Sequence, residues 1–404
     1  MKKKFILMLT LLAGVLSANA DNVVSIGNAD IPQNGIGFIS INLDNTDDVA
    51  SFQFDVTLPT GVSFVTKQEA VMIQDPEDPK KKIQATDEGG NPIWRDVPVG
   101  ETTIRTSTQT VESSMEGQKG SFLIYSGQGV TGNSGSIIRV KVSTDGSLTS
   151  GEYEATLGHI VLALDGAIKD DSNADKNFDL ALFDGVVLDE ESTEDPAKVS
   201  EVNVKVLRTI KAGEWSTICL PFDMDEDQVK AAFGDDVELK EFDSAEASEE
   251  AISIKFTDAD EIEKETPYLI KVGSDISSFI AENVNINGKS TKVKTEGDGG
   301  TFRGTFKVKK LDEETVFISN NKFYYSKGLT NIKGFRCWFE FDETLAAYDE
   351  SRSIEFEFID GTTGINNAVR QLPNDGNYYN LKGQRVEKPS KGVFIVNGKK
   401  VVVK

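Results

Sequence analysis

The stretch Ser51-Phe52-Gln53-Phe54-Asp55-Val56-Thr57-Leu58-Pro59-Thr60-Gly61 decides the fold of the first half of the chain. Its apolar side chains recur at every second position from Phe52 to Leu58, which is the period of a strand with one buried face. The run ends in proline, threonine and glycine, a combination typical of a turn. Because an isolated strand is not stable, the pattern predicts partner strands before and after it.

Further strands are predicted on both sides of this one. No helical periodicity separates them, and turn residues recur at short spacing, which is typical of an antiparallel β-sandwich. The interval from about residue 74 to residue 120 is rich in Asp, Lys, Pro and Gly, and it predicts either a long exposed loop or an inserted hairpin. The predicted strands of the sandwich cover residues 37–43, 51–58, 122–125, 137–142 and 158–163.

The first twenty residues have the order of a secretory signal. Residues 2–4 are lysines, residues 5–16 form an apolar run, and residues 17–20 are small, with cleavage expected between Ala20 and Asp21. The apolar run is too short to span a bilayer and no basic stop follows it. We therefore expect an exported protein with no membrane span in the mature chain. Its location is extracellular or at the cell surface, or periplasmic if the C-terminal tail is not a sorting signal.

Composition limits the function classes. The chain has 404 residues, 66 acidic against 43 basic side chains, and a formal net charge of −23. Nucleic-acid binding is excluded because phosphate contacts need clustered Lys and Arg. The chain is longer than the usual length of a domain with a single hydrophobic core, so several domains are expected. We predict an all-β protein with a signal peptide (1–20), a β-sandwich (21–200), a second β-rich domain (201–362) and a C-terminal β unit (363–404).

Two local patterns complete the prediction for the second half. The acidic segment 189–196 has no apolar side chain, so it is expected to be an exposed linker and a preferred protease site. Residues 226–233 predict a short helix that Asp225 caps and Gly234 ends. The remaining predicted strands are residues 202–206, 267–272, 301–308, 315–318 and 322–325.

The inventory of reactive residues argues against catalysis. His159 is the single histidine, and its place in an apolar strand predicts a packed or edge residue rather than a base. Cys219 and Cys337 are too few for a zinc site; export would permit a disulfide between them, and free buried thiols are the alternative. The acidic residues allow a glycosidase in principle, but nothing marks a catalytic pair. We predict no catalytic and no cofactor-binding residues, and no enzyme.

One segment has part of the spacing of a calcium loop, in which successive oxygens must surround one hard cation. The sixth position is Lys176 where glycine is needed, and the twelfth is Leu182 where glutamate is needed, so a polar turn between strands is favoured. Calcium is the one cofactor considered. The weak candidate ligands are Asp171, Asn173, Asp175 and Asp179.

Short strings in the first half resemble a cohesin-type sandwich. They are Val49-Ala50-Ser51-Phe52-Gln53-Phe54, the end of that strand at Leu58-Pro59-Thr60-Gly61-Val62, and the later strand Ile137-Ile138-Arg139-Val140-Lys141-Val142. Cohesins share this fold with carbohydrate-binding modules. The resemblance covers about 180 residues (21–200) and implies a binding module whose usual class of ligand is a dockerin or a glycan.

The second half has two weaker resemblances. The strings Trp-x-Thr-Ile-Cys-Leu-Pro-Phe (215–222) and Thr-Pro-Tyr-Leu-Ile-Lys (266–271) resemble a β-rich domain of secreted surface proteins from gut-type Gram-negative anaerobes, which implies no activity. Residues 378–404 resemble the C-terminal sorting domain of type IX secretion cargo, and Asn397-Gly398 predicts a hairpin there. The alternative is a hairpin that completes the sheet of the second domain.

Together these observations predict a non-catalytic secreted or cell-surface binding protein that recognises a glycan or an envelope protein through its sandwich. The alternatives are a structural surface or adhesin subunit and an accessory to a polysaccharide-degrading enzyme. A contiguous aromatic strip on one face would favour a glycan. An exposed apolar patch with a polar rim would favour a protein partner.

Overall fold

The computed structural model describes residues 22–78, 80–164, 168–170, 172–248, 251–288, 293–342 and 353–359, with four short strands between 378 and 403. Strands dominate these residues, which confirms the all-β class. The expected signal peptide lies outside them. None of the helices in the described part is long and apolar enough to cross a membrane. The chain divides into two compact units, Met1–Asp184 and Gly185–Lys404, whereas the sequence places the boundary at residues 200 and 201.

The first unit is built from two sheets. One has the strand order β1-β3-β13-β10 with β5 beside β13, and the other has the order β11-β12-β4-β14-β16-β2 with β15 beside β14. The strands of these sheets are β1 (Val23–Asn28), β2 (Asp30–Pro32), β3 (Asn34–Asp44), β4 (Val49–Thr57), β5 (Val62–Phe64), β10 (Gly100–Thr102), β11 (Thr110–Glu116), β12 (Lys119–Val130), β13 (Ser136–Asp145), β14 (Gly151–Leu164), β15 (Ile168–Asp170) and β16 (Lys176–Phe183).

Strand β4 lies between β12 and β14, and its alternation is the one expected from the sequence. Phe52, Phe54 and Val56 are buried in one apolar core that receives side chains from both sheets. Side chains that alternate with these three lie on the outer face of the same sheet. The strand that decides the fold therefore also supplies the middle of an outward-facing surface.

The polar interval after β5 is an inserted β-ribbon rather than a loop. Its strands are β6 (Thr66–Ala70), β7 (Met72–Gln74), β8 (Lys82–Gln84) and β9 (Trp94–Pro98). Strand β6 pairs with β9, and β7 pairs with β8, both in antiparallel register. We call residues 66–98 the ribbon.

The second unit has its own apolar core and three larger sheets, with the orders β17-β18-β23, β19-β22-β20-β21-β31 and β24-β25-β30-β27-β28, and a small pair β26-β29. Its strands are β17 (Val186–Asp189), β18 (Val199–Leu207), β19 (Ser216–Ile218), β20 (Glu238–Ala247), β21 (Ala251–Ala259), β22 (Tyr268–Lys271), β23 (Phe279–Ile286), β24 (Lys294–Gly297), β25 (Gly300–Thr305), β26 (Lys309–Lys310), β27 (Glu313–Ser319), β28 (Lys322–Lys327), β29 (Asn331–Ile332), β30 (Arg336–Phe341) and β31 (Ser353–Phe358).

Helix α1 (Glu226–Phe233) has the bounds and caps expected from the sequence. The Asp225 carboxylate accepts a hydrogen bond from the Gln228 backbone N–H at 2.9 Å, and the Gln228 side chain accepts one from the Asp225 backbone, which is a capping box. Val229 and Phe233 are buried on one face of the helix, and Gly234 ends it with φ at 97°.

Replacement of this cap tests the helix directly. We expect Asp225→Ala to lower the free energy of unfolding of the second unit by about 1 kcal/mol, because it leaves helix N–H groups without an acceptor. Asp227→Ala removes the same charge from the same turn without removing the cap, and should cost only a few tenths of a kcal/mol. Urea denaturation of the two variants measures the difference, and equal losses would contradict the capping role.

The acidic segment 189–196 belongs to the folded second unit rather than to an exposed linker. Glu190 is buried, and its carboxylate lies 2.8 Å from Arg336 Nη2 and 3.0 Å from Lys333 Nζ. Lys307 Nζ reaches the Asp195 carboxylate at 2.8 Å. The carboxylates are therefore neutralised by cations more than a hundred positions later, which local composition does not reveal.

The C-terminal strands are β32 (Tyr378–Tyr379), β33 (Arg385–Val386), β34 (Gly392–Val396) and β35 (Lys399–Val403). They form a sheet of their own with the order β33-β32-β34-β35. The antiparallel register of β34 and β35 opposes Val396 to Lys399, which confirms the predicted hairpin. A role of this region in sorting stays a prediction.

Candidate partner-binding face

The outer face of the sheet that contains β4 is the candidate site. Ser51, Gln53, Asp55 and Thr57 alternate with the buried residues of β4 and therefore lie on this face. Asp55 is directly opposite Ser121 on β12 and Gly158 on β14. We call the surface around Asp55 the Asp55 face.

Asp55 is unusual for a residue on an outer face, because only 8% of its surface is exposed. Its Oδ2 atom lies 3.4 Å from Lys119 Nζ and 3.5 Å from His159 Nδ1. Its Oδ1 atom is buried and has no hydrogen-bond partner among the described residues. A buried acceptor without a donor costs about 1–3 kcal/mol, so a donor that reached this oxygen would be favourable.

The cross-strand neighbours of Asp55 are small. Ser121 is the partner on one side and Gly158 on the other. A Cβ atom on Gly158 would lie 2.9 Å from the Asp175 carboxyl carbon, so a larger residue there would require the Asp175 side chain to shift. Because residues opposite one another point to the same face of a sheet, the Asp175 carboxylate lies over Gly158 on the Asp55 face.

His159 lies at this face, and it is not packed in the way the sequence suggests. A bulge in the pairing of β14 with β4 gives His159 a φ of 49° and leaves its side chain 63% exposed. Its backbone N–H donates to Asp175 Oδ1 at 2.9 Å. The ring Nδ1 is 3.4 Å from Gln53 Nε2, so it accepts from Gln53 when unprotonated and pairs with Asp55 when protonated.

Half-buried apolar and polar side chains surround this centre. The register places Glu112, Leu123, Gln53 and Val161 in one row across four strands. In the next row, the Tyr125 hydroxyl donates to Glu112 Oε1 at 2.7 Å, and this hydrogen bond raises the pKa of Tyr125. Leu123 and Val161 therefore place two half-buried apolar side chains among polar ones on this face, a mixture that protein-binding surfaces share.

The calcium candidates do not converge on one point. Asp171 lies outside the described residues. Asn173 Oδ1 accepts from the Val24 backbone N–H at 2.9 Å, and Asp175 Oδ1 is the acceptor for His159. Asp179 is on β16 opposite Glu154. No group of three or more His, Cys, Asp or Glu that could hold a metal ion occurs in the described part of the chain, and calcium binding stays a prediction.

Cys219 and Cys337 lie together in the core of the second unit as free, buried thiols. The alternation of β30 correctly places Cys337 inside, and its backbone N–H donates to Thr217 Oγ1 at 2.9 Å. Burial, followed by a hydrogen bond with Cys337, raises the pKa of the Cys219 thiol. A disulfide between these residues stays a prediction.

Thiol labelling distinguishes the two states of this pair. We expect iodoacetamide to modify neither cysteine in the native protein, because both are buried and the raised pKa keeps Cys219 a thiol. In denaturant without reductant, mass spectrometry should find two modified cysteines. Labelling that requires a reductant would show instead that the pair is bridged.

The second unit contains a shallow cavity of about 290 Å³. Arg303, Trp338 and Glu340 line it, and both Arg303 Nε and Trp338 Nε1 donate to the Glu340 carboxylate. The polar groups of these three side chains are therefore hydrogen-bonded to one another. The Asp55 face, in contrast, leaves an acceptor unsatisfied, and we therefore take it as the site.

Comparison with known proteins adds a fold likeness. Neither a family model nor a curated protein sequence matches the chain. Among solved structures, a non-cellulosomal cohesin of Archaeoglobus fulgidus is 15% identical and covers 40% of this chain and 91% of its own, with a TM-score of 0.27. A type I cohesin–dockerin complex of Clostridium thermocellum is 7% identical, covering 39% and 97%, with a TM-score of 0.27.

The major pilin subunit of Bacillus cereus matches over a longer stretch, 84% of this chain and 70% of its own, at 9% identity and a TM-score of 0.22. Likenesses at this level carry no argument about function. The all-β assignment rests on the strand pairing described above.

Proposed function

We propose that this chain is a non-catalytic recognition protein that binds a partner protein through the Asp55 face of its first unit. The observation that supports this most strongly is the buried Oδ1 atom of Asp55, which has no hydrogen-bond partner among the described residues. Groups that reduce stability and serve no packing role are concentrated at functional sites. A donor supplied by a partner would remove the cost of this acceptor.

The cover over Asp55 can move. The side chains of Lys119 and His159 are 47% and 63% exposed, and each lies at least 3.4 Å from the carboxylate. Contacts of that length from exposed, mobile side chains to the Asp55 carboxylate are longer than good hydrogen bonds and contribute little. A hydroxyl or amide N–H of a partner can therefore displace them and reach the carboxylate without disturbing the core.

A protein partner is favoured over a glycan. Sugars stack on flat aromatic rings, yet the large exposed aromatic side chains of the described residues are Trp94 in the first unit and Tyr324 in the second. Neither forms a strip with another exposed ring there. The Asp55 face instead combines Leu123 and Val161 with polar neighbours, as protein-binding surfaces do.

The remaining expectations from the sequence belong to the same proposal. Residues 1–20 direct export, and the protein acts at the cell surface or outside the cell. The His159 ring lies beside a carboxylate and an amide rather than a nucleophile. The sequence marks no pair of carboxylates as acid and base, so we expect no release of reducing sugar from polysaccharides.

The test is affinity capture with matched variants. Immobilised wild-type chain is exposed to envelope extract of the source cells, with and without protease treatment of the extract, and in parallel to a polysaccharide panel. We expect wild type to capture a component that protease treatment destroys. The Asp55→Ala variant should no longer capture this component, whereas Thr57→Ala should still capture it. Capture that survives protease, or equal capture by Asp55→Ala, would contradict the proposal.

A further inference from the structure

The ribbon concentrates exposed apolar side chains. Twelve large hydrophobic residues are exposed in the described part of the chain, and five of them lie between residues 72 and 94. Each of the five is between 38% and 55% exposed. Scattered apolar residues are normal on a surface, but such density marks an interaction site. The five are Met72, Ile73, Ile83, Ile93 and Trp94.

Two of these isoleucines lie side by side on one face of the ribbon. Ile73 and Ile83 are directly opposite one another in the antiparallel ladder of β7 and β8, and β7 and β8 pair only with each other among the described strands. A two-stranded ribbon is marginally stable alone. A second ribbon stacked on this face would cover both isoleucines.

The charges at the tip of the ribbon are complementary to themselves. Residues 71–74 carry no charge, residues 75–78 contain three carboxylates, and residues 80–82 are three lysines. Within one chain the tip makes an exposed ion pair of 3.2 Å between Lys81 and Asp78. Exposed pairs of this kind are weak, so exchanging them between two chains costs little.

The net charge of the chain makes this pattern informative. At −23, two copies repel each other over most of their surfaces. Two tips in antiparallel arrangement place the lysines of each copy opposite the carboxylates of the other, so the repulsion is replaced locally by attraction. A twofold axis produces this arrangement without any further requirement, since each patch then faces its own symmetry mate.

We propose that the ribbon is a self-association surface through which two copies of this chain pair about a twofold axis. Ile73 and Ile83, which share one face of the ribbon, form the apolar centre of the contact. Residues 75–78 of each copy face residues 80–82 of the other. This surface is separate from the Asp55 face and does not depend on the function proposed for it.

Sedimentation velocity of the full chain, from low to high micromolar concentration, tests the apolar part. Wild type should form dimers reversibly. Ile73→Asp should weaken the dimer about tenfold or more, because it buries a charge in the contact. Ile36→Asp changes an equally exposed isoleucine of the sandwich and should dimerise as wild type does. The proposal would be overturned by a wild type that is monomeric at every concentration, or by a loss of dimer affinity in Ile36→Asp as large as that in Ile73→Asp.

Two variants with opposite charges at the tip of the ribbon test whether the binding partner is a second copy of this chain. Each variant alone should be monomeric because its tip repels an identical tip, and an equimolar mixture should form heterodimers. A mixture that stays monomeric while both variants keep the wild-type circular dichroism would show that the ribbon binds something other than a second copy. One variant carries Lys80→Glu, Lys81→Glu and Lys82→Glu, and the other carries Asp75→Lys, Glu77→Lys and Asp78→Lys.

Discussion

Glu190→Ala is expected to lower the free energy of unfolding of the second unit by about 3–5 kcal/mol, because it leaves a buried cation without its counter-ion. The Glu190 carboxylate lies 2.8 Å from Arg336 Nη2 and 3.5 Å from Arg208 Nη1. Arg208 is fully buried, and burial lowers the pKa of its guanidinium to about 9. Its Nη2 donates to the Thr217 carbonyl and the Ser216 hydroxyl, and among the described residues Glu190 is the carboxylate paired with it.

The measurement needs a probe of the second unit alone. Trp94→Phe removes the one tryptophan of the first unit, so fluorescence then reports Trp215 and Trp338. Urea denaturation in this background compares Glu190→Ala with Glu194→Ala, whose side chain is exposed. The control should stay within about 0.5 kcal/mol of its parent. Equal stabilities for the two variants would contradict the role given to Glu190.

Acid should act on the same group. Burial raises the pKa of Glu190, but Arg336, Arg208 and Lys333 more than offset this and hold it below its usual value of 4.5. A carboxylate whose pKa is depressed in the folded state contributes stability above its unfolded pKa and loses it as pH falls through the folded pKa. The second unit should therefore lose stability below about pH 4.5, and Glu190→Ala should lack that part of the acid dependence.

The second large effect concerns the Asp55 face, where stability and binding are expected to change in opposite directions. Asp55→Ala removes a buried acceptor that has no donor, together with two contacts of 3.4 and 3.5 Å to exposed groups. Its melting temperature should equal or exceed that of wild type, since the unsatisfied oxygen costs about 1–3 kcal/mol. A partner that supplies a donor to this carboxylate should bind the variant at least about tenfold more weakly.

The sequence predicted those features that depend on neighbouring residues. The alternation around Phe54, the capped helix after Asp225 and the pairing of residues 392–396 with residues 399–403 each follow from local sequence signals. The structure confirms the strand, the helix and the hairpin.

Features that depend on distant residues were missed. Segment 189–196 has the composition of a linker, but distant cations at Glu190 and Asp195 and backbone hydrogen bonds from residues 308 and 334 hold it in the folded second unit. The unsatisfied oxygen of Asp55 is created by neighbours on two other strands, which the pattern of β4 does not specify. His159 was expected to be a packed or edge residue, because the sequence gives no sign of the bulge that exposes it.

The ribbon bears out one of the two alternatives that the sequence left open, an inserted hairpin, but the sequence could not decide between them. Strands β7 and β8 contain three residues each, too few for a period to be recognised. Their polar surroundings resemble a loop, and the sequence allowed a loop and a hairpin equally. The local signals that do remain are the exposed isoleucines and the change of charge sign between residues 78 and 80.

The most direct test of the central claim is a pair of measurements on Asp55→Ala and Thr57→Ala, made with the protein that wild type captures. Binding isotherms by interferometry and melting curves by calorimetry are recorded for both variants. The account predicts that Asp55→Ala binds at least about tenfold more weakly while melting no lower than wild type, and that Thr57→Ala binds normally. Undiminished binding by an intact Asp55→Ala, or lost binding that accompanies a lower melting temperature, would contradict it.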